Sequence, residues 1–231
     1  MIPSNKIIVA LDTCEESKLQ KLFFDLEGEN IWVKIGMELF YSLGTKSIYQ
    51  AKEMGFSVFL DLKLHDIPNT VSQALRSLSK LPIDMVNLHA AGGKEMMMKG
   101  MDTLLGMPKR PLLIAVTQLT STTQEQMNIE QGIPGKIQNS VLQYAKLAHE
   151  SQLDGVVCSP LEVKMIKESL GIEFLTITPG IRPAGNELND QKRVTTPIEA
   201  MNLGTDFMVI GRPITASNNP KLALANILKG V

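Results

Sequence analysis

Two cysteines in 231 residues, Cys14 and Cys158, are too few and too isolated for a disulfide framework or a zinc site. A reduced, cytoplasmic setting fits them best. A basic excess is missing as well. The formal net charge is -1, whereas a nucleic-acid-binding surface needs clustered positive charge. No apolar run reaches the ~18 residues of a membrane-spanning helix. Met1 to Lys6 leads straight into a strand-like Ile7–Leu11 without the pattern of a signal peptide. Walker A, His-Glu-x-x-His and Gly-x-Ser-x-Gly motifs are all absent. So are linkers and low-complexity runs. What remains is an ordinary composition, 44% hydrophobic and 20% charged, expected to fold as one domain over residues 1–231. Thirteen methionines, Met96-Met97-Met98 among them, read as adaptable core filling.

Short apolar segments alternate with amphipathic ones. Strands are expected at Ile7–Leu11, Ile31–Ile35, Val58–Leu62, Met85–Leu88, Leu112–Val116, Gly155–Cys158, Phe174–Thr178 and Phe207–Ile210. Helices are expected at Ser17–Leu26, about Thr45–Met54, from an Asn69 or Thr70 cap through Leu78, after Gly93, and at Ile137–Glu150, Leu161–Leu170, Pro197–Leu203 and Pro220–Leu228. Eight strands alternating with eight helices predict a (β/α)8 barrel, the TIM-barrel architecture. An open doubly wound sheet is the alternative, but no Gly-x-Gly-x-x-Gly follows the first strand.

In such a barrel the active site lies at the C-terminal ends of the strands. Those ends carry Asp12, Lys34, Asp61, Lys63, Asp66, His89, Thr120, Arg182 and Arg212. Asp61 and Lys63 stand at i and i+2 and share one face of the third strand. A lone Asp–Lys pair is as readily structural, yet with Asp66 it makes three charges in six residues at a strand end. Lysine between carboxylates stays protonated, which suits proton donation better than a Schiff base; Lys63 takes that role. Gly211 and Arg212, after the eighth strand, suit an anion such as phosphate. The polar segment 183–193 is a candidate lid. His65 and His89 are as well explained by packing, His89 as a histidine hydrogen-bonded under the barrel mouth, and His149 lies on a helix away from the rest. The carboxylates could take magnesium, but Lys34 and Lys63 compete for them.

With these residues in hand, the chain closely resembles the orotidine 5′-phosphate decarboxylase family, short bacterial type, over essentially its whole length. The resemblance is carried by Asp61-Leu-Lys-Leu-His-Asp-Ile-Pro-Asn-Thr70, with Val9-Ala-Leu-Asp12, Val33-Lys-Ile-Gly36, His89-Ala-Ala-Gly-Gly93, Thr117-Gln-Leu-Thr120, Thr178-Pro-Gly-Ile-Arg182 and Ile210-Gly-Arg212. It implies cofactor-free decarboxylation of orotidine 5′-phosphate to UMP, with no metal. Asp12 and Lys34 would hold the ribose hydroxyls. Asp61, Lys63 and Asp66 would form a charged array with Lys34, and Lys63 would protonate C6. The array would be completed across a homodimer interface by Asp66 and Thr70. Thr120 would meet the pyrimidine edge, Gln191, Gly211 and Arg212 would bind phosphate, and Arg182 would line the site. The rivals are a magnesium-dependent sugar-phosphate decarboxylase or hexulose-phosphate synthase, and a non-catalytic nucleotide-binding barrel.

Overall fold

The computed structural model describes residues 1–183 and 195–230. Its strands are β1 (Ile7–Ala10), β2 (Trp32–Gly36), β3 (Ser57–Leu64), β4 (Met85–His89), β5 (Leu112–Val116), β6 (Gly155–Val157), β7 (Leu175–Thr178) and β8 (Phe207–Ile210). All pair in parallel and in sequence order, and β8 returns to β1, which closes the expected barrel. Its helices are α1 (Glu16–Leu26), α2 (Met37–Leu43), α3 (Lys46–Glu53), α4 (Pro68–Leu78), α5 (Gly93–Leu105), α6 (Gln124–Ile129), α7 (Ile137–Glu150), α8 (Val163–Leu170), α9 (Pro197–Asn202), α10 (Arg212–Thr215) and α11 (Pro220–Lys229).

Period-two alternation sorts the strand residues into two cores. Ile7, Val9, Val33, Ile35, Val58, Leu60, Val86 and Leu88 face outward and pack under the helices. Ile8, Ala10, Phe59, Met85, Ile114, Ile177 and Val209 fill the barrel itself. Trp32 meets Phe207 edge-on at 5.2 Å towards the barrel's N-terminal end. Lys34, Asp61 and Asn87 share the inward parity, so side-chain alternation alone delivers them to the mouth.

The N-terminal end carries a repeated device. Asp84, Asp154 and Asp206 immediately precede β4, β6 and β8. Each carboxylate accepts the backbone N–H of the second residue of the preceding strand: Val58 at 2.7 Å, Leu113 at 2.7 Å and Thr176 at 2.8 Å. Each also holds a cation lying before that preceding strand. Lys52 meets Asp84 at 2.8 Å, Lys167 meets Asp206 at 2.6 Å, and Arg110 meets Asp154 through two nitrogens at 2.7 and 2.8 Å. Charge-assisted hydrogen bonds of this kind are about twice as strong as neutral ones.

Local expectations needed revision in four places. The helix expected over Thr45–Met54 is preceded by a second, α2, and Gly44 at φ +61° separates the two. α4 begins earlier than expected, at Pro68, with Ile67 as its cap and no side-chain cap from Asn69 or Thr70. Proline lacks an N–H and is preset for the first helical position, so it starts the helix unaided. The polar stretch before α7 contains α6, begun by a reciprocal Thr123–Gln126 capping box. Arg212, expected only as the residue that follows the eighth strand, opens the single turn α10, which was not among the expected helices.

Candidate active site

Below the mouth, β3 departs from regular pairing. Leu60 pairs with Val86 and Leu64 with Leu88, so Asp61, Leu62 and Lys63 all stand opposite the single residue Asn87. The bulge is accommodated at Lys63, whose φ of +52° lies in the left-handed region. For a residue with a Cβ this conformation costs on the order of 1 kcal/mol. Asp61 and Lys63 therefore meet through a bulge, and the flat i, i+2 geometry expected from the sequence is not what brings them together.

Four charges of alternating sign follow one another across the mouth. Lys63 Nζ lies 2.7 Å from Asp61 Oδ1, Lys34 Nζ 3.3 Å from Asp61 Oδ2, and Lys34 Nζ 3.2 Å from Asp12 Oδ1. Asp61 is 8% exposed. Burial pushes its carboxyl upward, but the charges of Lys34 and Lys63 and the hydrogen bonds from Lys63 and Asn87 outweigh that and hold it below the usual carboxylate range. Burial likewise pulls the Lys34 ammonium down, and Asp61 and Asp12 override it, leaving Lys34 above the ordinary lysine value. Asp61 and Lys34 are thereby held in their charged forms. Gly36 makes room for it, because a Cβ there would lie 3.0 Å from Lys34 Nζ and 3.6 Å from Asp12 Oδ1.

The array borders a cavity of about 200 Å³. Phe59, Val116, Val157, Ile177 and Val209 form its apolar walls, while Lys34, Asp61, Lys63, Gln118, Thr120 and Ser121 contribute polar groups. Apolar walls with a few convergent polar groups suit a flat, polar-edged ring. Gly211 lies beside Asp12: a Cβ on it would stand 3.8 Å from Asp12 Oδ2. Arg182 donates to the Ile181 carbonyl at 2.9 Å, and its guanidinium is drawn below its usual value by burial and by the nearby charge of Arg212. Two neighbouring cations of like sign favour an anion between or beside them.

Some expected residues lie elsewhere. Asp66 and Thr70 are exposed at the start of α4, where Asp66 Oδ1 accepts the Ile67 N–H at 2.7 Å, and neither lines the cavity. Gln191 and most of the candidate lid lie outside the described residues. His89 is packed as expected, but it stacks on His65 with ring centres 5.6 Å apart and, among the described residues, its buried Nδ1 has no hydrogen-bond partner. The expected hydrogen bond is therefore not made through Nδ1. His149 sits against Phe174. The sequence reading missed Gln118 and Asn87. Asn87 carried a legible signal, being a lone amide inside the apolar run Met85–Leu88.

The model of the orotidine 5′-phosphate decarboxylase / HUMPS family matches residues 5–227. The chain belongs to this family. Among its relatives, the orotidine 5′-phosphate decarboxylase of Staphylococcus aureus strain Newman is 54% identical over 213 residues, 92% of each chain. The crystal structure of orotidine 5′-phosphate decarboxylase from Lactobacillus acidophilus superposes with a TM-score of 0.85 at 41% identity, covering 98% of both chains. An uncharacterised conserved protein from Geobacillus kaustophilus also gives a TM-score of 0.85, at 42% identity over 97% of this chain and 99% of its own. The family resemblance thus spans the barrel from β1 to α11 and includes every strand that contributes to the array.

Proposed function

We propose that this protein decarboxylates orotidine 5′-phosphate to UMP, the closing step of pyrimidine nucleotide synthesis. The observation that carries the reading is the alternating chain Asp12–Lys34–Asp61–Lys63 beside an apolar slot. Membership of the family and the named relatives support it.

The chemistry asks for little else. The bond between C6 and the carboxylate breaks, carbon dioxide leaves, and the electron pair stays on C6. Lys63 gives its ammonium proton to that carbon, UMP forms, and water reprotonates the lysine. A fixed ammonium beside the developing carbanion stabilises the charge where it forms. Asp61 holds Lys63 at 2.7 Å and stands next to the departing carboxylate. Asp12 and Lys34 bind the ribose hydroxyls and Thr120 the edge of the base. Arg212, the Gly211 backbone, Gln191 and Arg182 take the phosphate end, whose binding energy orders the site around the ring.

Asp66 and Thr70 belong to the reading through a second copy of the chain. Their exposure beside Ile67, which is 66% exposed, suits an interface that brings them to the partner's site in a homodimer. Among the described residues no helix is long and apolar enough to cross a membrane. Two cysteines, Cys14 exposed and Cys158 buried, are too few for a disulfide framework, and the reading sets the enzyme in the reducing cytoplasm.

The test is ultraviolet absorbance on mixing purified protein with orotidine 5′-phosphate in EDTA. Loss of the orotate band with appearance of UMP is expected. An inert, folded dimer that acts on sugar phosphates once magnesium is added would overturn the reading.

A further inference from the structure

Asn87 is fully buried, projects into the barrel from β4, and touches both halves of the Asp61–Lys63 pair. Its Oδ1 accepts the backbone N–H of Lys63 at 2.8 Å, and its Nδ2 donates to Asp61 Oδ1 at 2.7 Å. The amide orientation follows from chemistry: a backbone N–H only donates and an ionised carboxylate only accepts, so oxygen faces Lys63 and nitrogen faces Asp61. The register makes the contact necessary. Asn87 is the one β4 residue facing the three residues of the bulge, so no ladder partner serves the Lys63 N–H there.

We infer that Asn87 is the positioning residue of the array, fixing at once the left-handed backbone of Lys63 and the rotamer of Asp61. Asp61 Oδ1 receives Asn87 on one side and the Lys63 ammonium on the other, so the amide determines where the ammonium can stand. The substrate never meets Asn87, which does not line the cavity. A side chain acting this way should alter the rate of the chemical step far more than the binding of product, because an ammonium displaced by about 1 Å loses about 100-fold in rate while ribose and phosphate contacts persist. This inference rests on the decarboxylase reading and names a further determinant of the same site.

The experiment compares wild type, Asn87→Ala and Asn87→Asp by kcat per titrated active site and by Kd for UMP. Asn87→Ala is expected to lose about 100-fold in kcat with UMP affinity within about threefold of wild type. Asn87→Asp keeps the acceptor and the shape, so it carries the test if the alanine variant does not fold. Its new carboxylate faces Asp61, and two adjacent carboxylates raise one pKa. Below that raised value the protonated Asp side chain again has a donor for Asp61, so kcat relative to wild type is expected to climb as pH falls from about 8 to about 5.5. An Asn87→Ala kcat within about fivefold of wild type, a parallel loss of kcat and UMP affinity, or a pH-independent ratio for Asn87→Asp would each overturn the inference. An inactive wild type sinks the decarboxylase reading itself; an active wild type with an indifferent Asn87 sinks only the positioning role.

Discussion

At the N-terminal end of the barrel, Asp84, Asp154 and Asp206 each bind a strand's backbone N–H and one cation. At the mouth, Asp61 binds two ammonium groups and one side-chain amide and, among the described residues, no backbone N–H. The residue types match, but the partners differ. A carboxylate joined to the backbone fixes the spacing of strands. A carboxylate joined only to side chains fixes charges that face a cavity. Removing the first should loosen the fold and leave the chemistry, and removing the second should do the reverse.

The sharpest way to break that contrast is Lys63→Ala. Turnover should fall by at least about 10⁴-fold, with the Kd for UMP and the melting temperature little changed. Retained turnover within about 100-fold of wild type would remove Lys63 from the proton-donor role. Asp206→Ala should give the opposite signature. Losing the bonds to Thr176 N–H, Thr176 Oγ1 and Lys167 should lower stability by about 3 kcal/mol, or about 6–10 °C in Tm, at unchanged kcat per folded site. Calorimetry and steady-state kinetics on the same preparation read both numbers.

A finer comparison is available at position 63 itself. Lys63→Gly and Lys63→Ala should be equally inactive, but glycine accepts φ +52° without a Cβ penalty. Lys63→Gly should therefore be the more stable by about 0.5–1 kcal/mol in chemical denaturation. Equal stabilities would mean that the bulge relaxes when the lysine is removed. The smallest effect concerns His89, whose imidazole is held below its ordinary value by burial and then by His65 and Lys63. The native state favours neutral His89, so its stabilising contribution is complete above about pH 6.5 and is lost as pH falls through the lower native value. The Tm of His89→Gln should fall less than that of wild type between about pH 7 and pH 5.

Much of this was legible in the sequence, and the parts that were not share a cause. Ile7–Leu11, Leu112–Val116 and Phe207–Ile210 announce buried parallel strands by composition alone, and the eightfold alternation with helices leaves one economical architecture. Asp12, Lys34, Asp61 and Lys63 stood out because charge inside such strands needs a partner. The means of pairing did not stand out. A bulge between Leu60 and Leu64 and a left-handed lysine are set by register against β4, which no local pattern around Lys63 encodes. Asn87 went unassigned for the same reason: its partners lie 24 and 26 residues away. The cap of α4 was misplaced because Asn69 and Thr70 are good capping residues, while Pro68 had already begun the helix.

The carboxylate clamps at the barrel's N-terminal end have a consequence for divisibility. Lys52, Val58 and Asp84 all precede the exposed turn at Gly106–Lys109, whereas Arg110, Leu113, Asp154, Lys167, Thr176 and Asp206 all follow it. A chain nicked in that turn keeps each clamp whole within one piece, and so do the residues from Asp12 to Asn87 that build the array. The two pieces then have strand ladders, apolar faces and a few polar ties, Lys94–Glu150 and Lys6–Thr205 among them, to re-form between them. On this account the molecule is two self-clamped half-barrels, the first bearing the alternating charges and the second the neighbouring arginines, joined by a turn that takes part in no clamp.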